Sequence, residues 1–244
     1  PYLSKVTGVP MVALAIRVSL GERLPELGYG TGLYRSPPYT AVKVPVFSFE
    51  KLIDVDTHLG PEMKSTGEVL GIGRSLREAL YKGLVAAGYR MHHEQGGVLF
   101  TVRDSDKHEV ADIARKFAAL GLRLYATKGT ADVLNAAGLP TETVSKLHEG
   151  TPNILDLLES GSIKYILSTS ARGRLPARDS VKIRRRACAL QIPCMTSIDT
   201  ANALADSLMV WSGFAGNYAD FWKSFWMGRV GGQANFDKAL QDGV

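Results

Sequence analysis

Val98-Leu99-Phe100-Thr101-Val102 is a short, nearly unbroken apolar run rich in β-branched and aromatic residues, as expected of a strand covered on both faces. Asp106, with Glu109 three residues later, gives a capping-box-like start to a helix carrying Val110, Ile113, Phe117 and Leu120, and Gly121 stops it. The same grammar returns down the chain as strand 122–126, helix 130–137, strand 164–168, helix 180–190, strand 193–197 and helix 199–209. Strands separated by helices pair in parallel through right-handed crossovers, so residues 89–210 read as an α/β, Rossmann-like parallel sheet flanked by helices.

Upstream the pattern is less regular. Val9 to Leu20 places Pro10 at a helix start and Gly21 at its end, and its nearly all-round apolarity predicts a buried helix whose partners lie outside this chain. Gly28 to Pro38 is loop by its breakers. Thr40 to Phe47 then reads as a strand, and Pro45 within it marks an edge. A second loop, Gly60 to Glu68, precedes a helix at 75–87 with Leu76, Ala79, Leu80, Leu84 and Val85 on one face and Gly88 after it. Gly71-Ile72-Gly73 has Leu76 where a dinucleotide fingerprint needs its third glycine, and no strand is evident before it, so we set that motif aside. At the other end, Trp211, Phe214, Tyr218, Phe221, Trp222, Phe225, Trp226 and Met227 suggest an amphipathic helix at 217–227, packed on its own domain or at a subunit interface. Gly231 to Val244 reads as frayed.

Composition excludes several classes. The 244 residues are 45% hydrophobic and 22% charged, average for a globular protein. No apolar run has the length of a membrane span and no signal-peptide pattern opens the chain, so we expect a cytoplasmic protein without membrane contact. Cys188 and Cys194 have no metal-ligand spacing and read as reduced thiols. A net charge of +5 favours anions if it is concentrated on one surface. The run Lys182-Ile183-Arg184-Arg185-Arg186 sits on a helix with Ile183 and Ala187 inward, which makes a solvated face the default and an anion or subunit contact the alternative. Adjacent His92 and His93 point to different sides and suit no common metal. The opening without Met, directly into Val6-Thr7-Gly8-Val9-Pro10, suggests part of a longer protein.

In a doubly wound sheet, ligands bind beyond the carboxyl ends of the strands, where strand order reverses. Ala126-Thr127-Lys128-Gly129-Thr130 sits at such an end, and its hydroxyls, cation and helix N-terminal amides make a phosphate cradle. The plain alternative is that Thr127 or Thr130 caps the helix and Lys128 is solvated. Thr101 and Lys107, Lys146, and Ser168 with Thr169 fall at neighbouring ends, which favours a phosphorylated ligand. No paired carboxylates, nucleophile elbow or P-loop is visible, so no catalytic or metal residue is assigned.

Val6 to Pro10, the long motif Leu59-Gly60-Pro61-Glu62-Met63-Lys64-Ser65-Thr66-Gly67-Glu68-Val69-Leu70-Gly71 and His148-Glu149-Gly150 resemble the C-terminal part of the carbamoyl-phosphate synthase large chain, over roughly residues 1–210. The resemblance implies that 1–88 are the end of the second ATP-grasp unit, 89–210 a methylglyoxal-synthase-like allosteric domain and 211–244 an aromatic-rich tail. It implies a parent ligase that makes carbamoyl phosphate from bicarbonate, ammonia or glutamine and ATP with Mg2+ or Mn2+, for pyrimidine and arginine synthesis. The ATP- and metal-binding residues would precede Pro1, which leaves this chain without its own cofactor and regulatory rather than catalytic. The implied partners are a glutaminase small subunit, further copies of the chain and a nucleotide effector such as UMP or IMP. Its phosphate would be held by Thr101, Lys107, Thr127, Lys128, Gly129, Thr130, Lys146, Ser168 and Thr169. Ser168 stands where some members have Asn and Lys128 where some have His; Val44 replaces an acidic residue associated with ornithine response, which argues against ornithine activation.

Two other classes fit the sequence less well. A stand-alone methylglyoxal-synthase-like lyase needs a carboxylate base and a His, but Thr151 and Arg178 occupy the corresponding places. Nucleic-acid binding lacks aromatics interleaved on a basic face.

Overall fold

A computed structural model describes residues 2–49, 59–91, 96–169 and 179–213. In chain order the elements are α1 (Tyr2–Thr7), α2 (Met11–Ser19), β1 (Thr40–Val46), β2 (Gly67–Gly73), α3 (Leu76–Ala86), β3 (Gly97–Thr101), α4 (Lys107–Ala119), β4 (Arg123–Thr127), α5 (Lys128–Ala136), β5 (Thr141–Val144), α6 (Ile154–Glu159), β6 (Ile163–Ser168), α7 (Asp179–Ala189), β7 (Cys194–Met195) and α8 (Ile198–Gly213), with 3-10 turns at Leu24–Leu27 and Asp104–Asp106. The tail helix expected at 217–227, His92 and His93, and Arg178 lie outside the described residues.

The run that opens the sequence reading is the centre of the sheet. β3 pairs in parallel with β4 on one side and β6 on the other, and the full order is β5-β4-β3-β6-β7, parallel throughout. Val98 and Phe100 face one core with Val110, Ile113 and Phe117 of α4, Leu134 of α5 and Ala205 and Leu208 of α8. Leu99 faces the opposite core, with Ile154 and Leu158 of α6 and Ile183 and Ala187 of α7. The alternation follows from the two-residue period of a strand, and both faces must be apolar because helices cover both. Phe117 meets Phe100 edge-on, ring centroids 6.2 Å apart.

β1 and β2 form a separate antiparallel pair in which Pro45 lies opposite Glu68. With two strands both are edges, and the missing N–H of Pro45 costs no central ladder bond. The glycines set aside as a dinucleotide motif belong to β2, and their purpose is close approach. A Cβ on Gly71 would lie 2.0 Å from the Ala79 carbonyl oxygen and 2.6 Å from the Gly83 nitrogen, so β2 packs backbone to backbone on α3. Ser75 caps α3 by accepting from the Glu78 N–H.

α2 leaves Val12, Ile16 and Val18 exposed within this chain, whose described residues do not supply the expected cover. One expectation needs correction. On α3 the buried set is Ala79, Tyr81, Lys82 and Gly83, while Leu76 is 62% exposed. Of the expected face Ala79 is buried and Leu84 and Val85 pack against the core, while β2 on one side and α8 on another extend the burial to Tyr81, Lys82 and Gly83. The buried Lys82 ammonium is neutralised by Glu78 one turn back, at 2.6 Å.

Neither Cys188 nor Cys194 is in a disulfide, and burial pushes the Cys194 thiol up to about 11. In the basic run Ile183 and Ala187 face inward as expected, and Arg186 pairs with Glu159 of α6. No helix among the described residues is long and apolar enough to cross a membrane.

Candidate functional site

The chain leaves β3 for β4 and β5 on one side, then crosses over to β6 and β7 on the other. The reversal falls between β3 and β6, where Thr101 stands opposite Ser168 and the Thr169 N–H donates to the Thr101 carbonyl at 3.1 Å. Five of the seven buried polar residues among the described residues gather at this rim: Asp106, Thr127, Thr130, Ser168 and Thr169. Polar side chains are placed where burial is expensive only when something satisfies them.

Thr127 ends β4 and stands at the N-cap position of α5 in extended conformation, yet its side chain makes no cap hydrogen bond. α5 begins at Lys128, two residues earlier than the pattern suggested, so Lys128, Gly129 and Thr130 form its first turn. A first turn has no intrahelical partners for its amides and carries the positive end of the helix dipole. Thr130 is 1% exposed, and its Oγ1 is enclosed without a hydrogen-bond partner. The capping alternative is therefore not realised by either threonine.

Lys107, at the start of α4, brings its ammonium onto this turn: a Cβ added to Gly129 would lie 2.8 Å from Lys107 Nζ. Glycine at 129 makes the space for that cation. Lys107 also pairs with the exposed Asp104 at 2.7 Å. Asp104 is held below the usual carboxylate range by the Lys107 hydrogen bond first, then by the charge of Lys107, with Lys146 adding to it. Lys146 thus lies within electrostatic reach of the same corner; its own N–H donates to Glu149 at 2.8 Å, and its ammonium is 4.0 Å from that carboxylate. Lys128 is exposed beside them.

Asp106 does not act as the cap that its spacing to Glu109 suggested; no side-chain cap bond forms. Its carboxylate accepts from Arg103 Nε through both oxygens, at 2.8 and 2.9 Å, and from Ser105 Oγ at 2.9 Å. Burial alone would raise its pKa, but these hydrogen bonds, that of Arg103 foremost, prevail and hold it below the ordinary value. Thr169 Oγ1 in turn accepts from the Arg103 N–H at 3.1 Å. Asp106 and Arg103 escaped the sequence reading because the pair spans only three residues and reads as local helix-start chemistry. Across the rim, His148 Nδ1 lies 3.4 Å from Asp179, with the His148 side chain well exposed and that of Asp179 half-buried. No group of three or more His, Cys, Asp or Glu among the described residues could hold a metal ion.

The corner thus combines a free helix N-terminus, an unpaired buried hydroxyl and a converging ammonium. That is the donor set of an oxyanion site.

Residues 109–196 match the MGS-like domain family. The carbamoyl phosphate synthase large chain of Lachnoclostridium phytofermentans (strain ATCC 700394 / DSM 18823 / ISDg) is 48% identical over 208 residues, covering 85% of this chain and 19% of that protein. That of Clostridium botulinum (strain Kyoto / Type A2) is 47% identical over 206 residues, covering 84% of this chain and 19% of that protein. The chain spans about a fifth of the length of these curated relatives. Among solved structures, one described as "Crystal structure of ForH" matches with a TM-score of 0.31 and 19% identity, over 57% of this chain and 100% of that one.

Proposed function

We propose that this chain, which carries an MGS-like domain and resembles the C-terminal region of carbamoyl phosphate synthase large chains, is the effector-binding part of such a synthase and recognises a phosphorylated nucleotide of the UMP or IMP class. The observation that carries the reading is the buried hydroxyl of Thr130, unpartnered at the free N-terminus of α5 beneath Lys107. A phosphoryl oxygen there receives hydrogen bonds from Thr130 Oγ1 and the first-turn amides, while Lys107, Lys128 and Lys146 neutralise its charge. Thr101, Thr127, Ser168 and Thr169 complete the rim, and Gly129 admits the Lys107 ammonium. The nucleoside extends outward from the switch point.

Regulation requires effector affinity to differ between active and inactive conformations of the longer protein. In that protein ATP and Mg2+ or Mn2+ act in parts resembling none of the described residues, a glutaminase small subunit supplies ammonia, and the chain works in the cytoplasm as part of a homo-oligomer. The 244 residues alone form no carbamoyl phosphate. Nor do they act as a methylglyoxal-forming lyase: the one buried carboxylate at the rim among the described residues, Asp106, is committed to Arg103 and Ser105, which leaves it unsuited as a base. Production of carbamoyl phosphate or of methylglyoxal by the purified chain would overturn the respective statement.

Calorimetric titration with UMP, IMP and inorganic phosphate, repeated on Thr130→Ala and Lys146→Ala, tests the reading. Saturable nucleotide binding weakened by both substitutions is expected. A folded chain that binds none of the three refutes it.

A further inference from the structure

We propose that Asp104 is a built-in stand-in for the anion: its carboxylate holds the Lys107 ammonium until a phosphoryl group takes that cation over, so Asp104 competes with the ligand and lowers the affinity of the site. The inference rests on the phosphate reading above and deepens it. Lys107 Nζ lies 2.7 Å from Asp104 Oδ1 and also so close to Gly129 that an added Cβ there would come within 2.8 Å of it. Gly129 belongs to the first turn of α5, whose amides are the donors of the phosphate reading, so the cation that the phosphoryl group needs is the one Asp104 already holds. An ammonium has three protons, enough for two acceptors, but a carboxylate and a phosphoryl dianion gathered on one cation leave net negative charge and repel.

Exposure decides which anion leaves. The Asp104 side chain is 94% exposed, so a released carboxylate regains its hydration, whereas that of Lys107 is 24% exposed and keeps its need for a counter-charge. Asp106, two residues on in the same 3-10 turn, is the contrasting case: it is 7% exposed and holds Arg103 Nε through both oxygens and Ser105 Oγ through one. The Arg103 N–H donates in addition to Thr169 Oγ1 at 3.1 Å, which ties the turn to the end of β6. The backbone of the turn is thereby fixed while its first carboxylate stands in water. Exchange of Asp104 for a phosphoryl group therefore takes a side-chain rotation and no rearrangement of the fold. The Lys107 hydrogen bond, first among the causes, holds Asp104 below the usual carboxylate range, so it is charged and competing at neutral pH.

The test uses the 244-residue chain with inorganic phosphate as the probe at pH 8, where phosphate is a dianion, and at low ionic strength so that the contest is not screened. Four variants are compared with it: Asp104→Asn, Asp104→Glu, Lys107→Gln and the double variant Asp104→Asn with Lys107→Gln. Dissociation constants come from calorimetry and from the NMR shift of the Gly129 amide, which follows weak binding too. Exposed ion pairs shift equilibria by about two- to fivefold, so Asp104→Asn is expected to bind phosphate about three- to fivefold more tightly than the parent, and Asp104→Glu within about twofold of it. On the Lys107→Gln background the same Asp104→Asn change is expected to alter affinity less than about 1.5-fold, because the contest is over that ammonium. Weaker or unchanged binding by Asp104→Asn, with the parent binding phosphate, overturns the stand-in and leaves the phosphate reading intact. Equal tightening on both backgrounds overturns it as well, since Asp104 then acts as a general negative charge near the rim. A parent that binds no phosphate while Asp104→Asn does supports the stand-in in its strongest form. Phosphate bound by neither refutes the phosphate reading, and the stand-in with it.

Discussion

Replacing Thr130 by Val should stabilise the unliganded chain while weakening its hold on phosphate, and the two opposite signs make the substitution diagnostic. Valine reproduces the shape of threonine and shares its β-branch, so packing at a site 1% exposed is preserved. What is lost is one hydroxyl, enclosed without a partner. Such an unsatisfied group costs about 1–3 kcal/mol relative to an apolar isostere. Taking the lower end, the gain of about 1 kcal/mol raises the melting temperature of a chain this size by roughly 2–4 °C. In the complex the same hydroxyl donates to a charged oxygen, an interaction of about 1.5–3 kcal/mol, so phosphate should bind about 10- to 150-fold more weakly. Differential scanning calorimetry with and without phosphate reads both effects: the variant should melt higher than the parent without phosphate and gain less from adding it. A variant that melts lower without phosphate and binds it with parental affinity would refute the reasoning, since Thr130 would then be satisfied within the chain and irrelevant to the anion.

Gly129→Ala places a methyl group 2.8 Å from Lys107 Nζ, the mobile end of a side chain. Stability by urea titration should hold within about 0.5 kcal/mol, while calorimetry should show phosphate about five- to tenfold weaker as the ammonium is displaced. Gly71→Ala is the opposite case: its Cβ meets backbone atoms of Ala79 and Gly83 that cannot swing away, and urea unfolding should report a loss of about 3 kcal/mol. Asp106 has a folded-state pKa below its unfolded value of about 3.9. Its stabilising contribution is therefore complete above that value and is lost as pH falls through the lower folded value. Stability measured from pH 7 to pH 2 should decline more shallowly in acid for Asp106→Asn than for the parent.

The sheet was legible where burial leaves a one-sided record. β3 and β6 lie between two helical layers, so their central residues, Val98 to Phe100 and Tyr165 to Leu167, are apolar without alternation and stand out from the surrounding text. β5 was missed for the converse reason: Thr141-Glu142-Thr143-Val144 is an edge strand with only Val144 buried, and an edge facing water writes polar residues. α6 is a six-residue helix whose boundary is set by the Asn153–Asp156 capping box, too short to show periodicity. β2 was hidden by its own glycines, which read as loop until the approach of α3 explains them. At the candidate site, the hydroxyls and lysines were legible because they cluster just after strands. The tie from Arg103 to Thr169 was not, since a partner 66 residues away lies outside any local pattern. The apolar surface of α2 was legible, but periodicity records what a helix can bury and does not say what covers it.

Helix α3 stands in the N-terminal part of the chain, yet its Tyr81 shares a core with Ala205 and Leu208 of α8, and its Arg77 pairs with Asp206, which also holds Lys116 of α4. Its other side is pressed against β2. A wall common to two rooms cannot be taken down from one of them: melting the hairpin strips the sheet's helical layer of its cover, and melting that layer exposes Tyr81. Order in the hairpin and order in the parallel sheet are therefore coupled through α3, and unfolding of either is expected to be felt by the other.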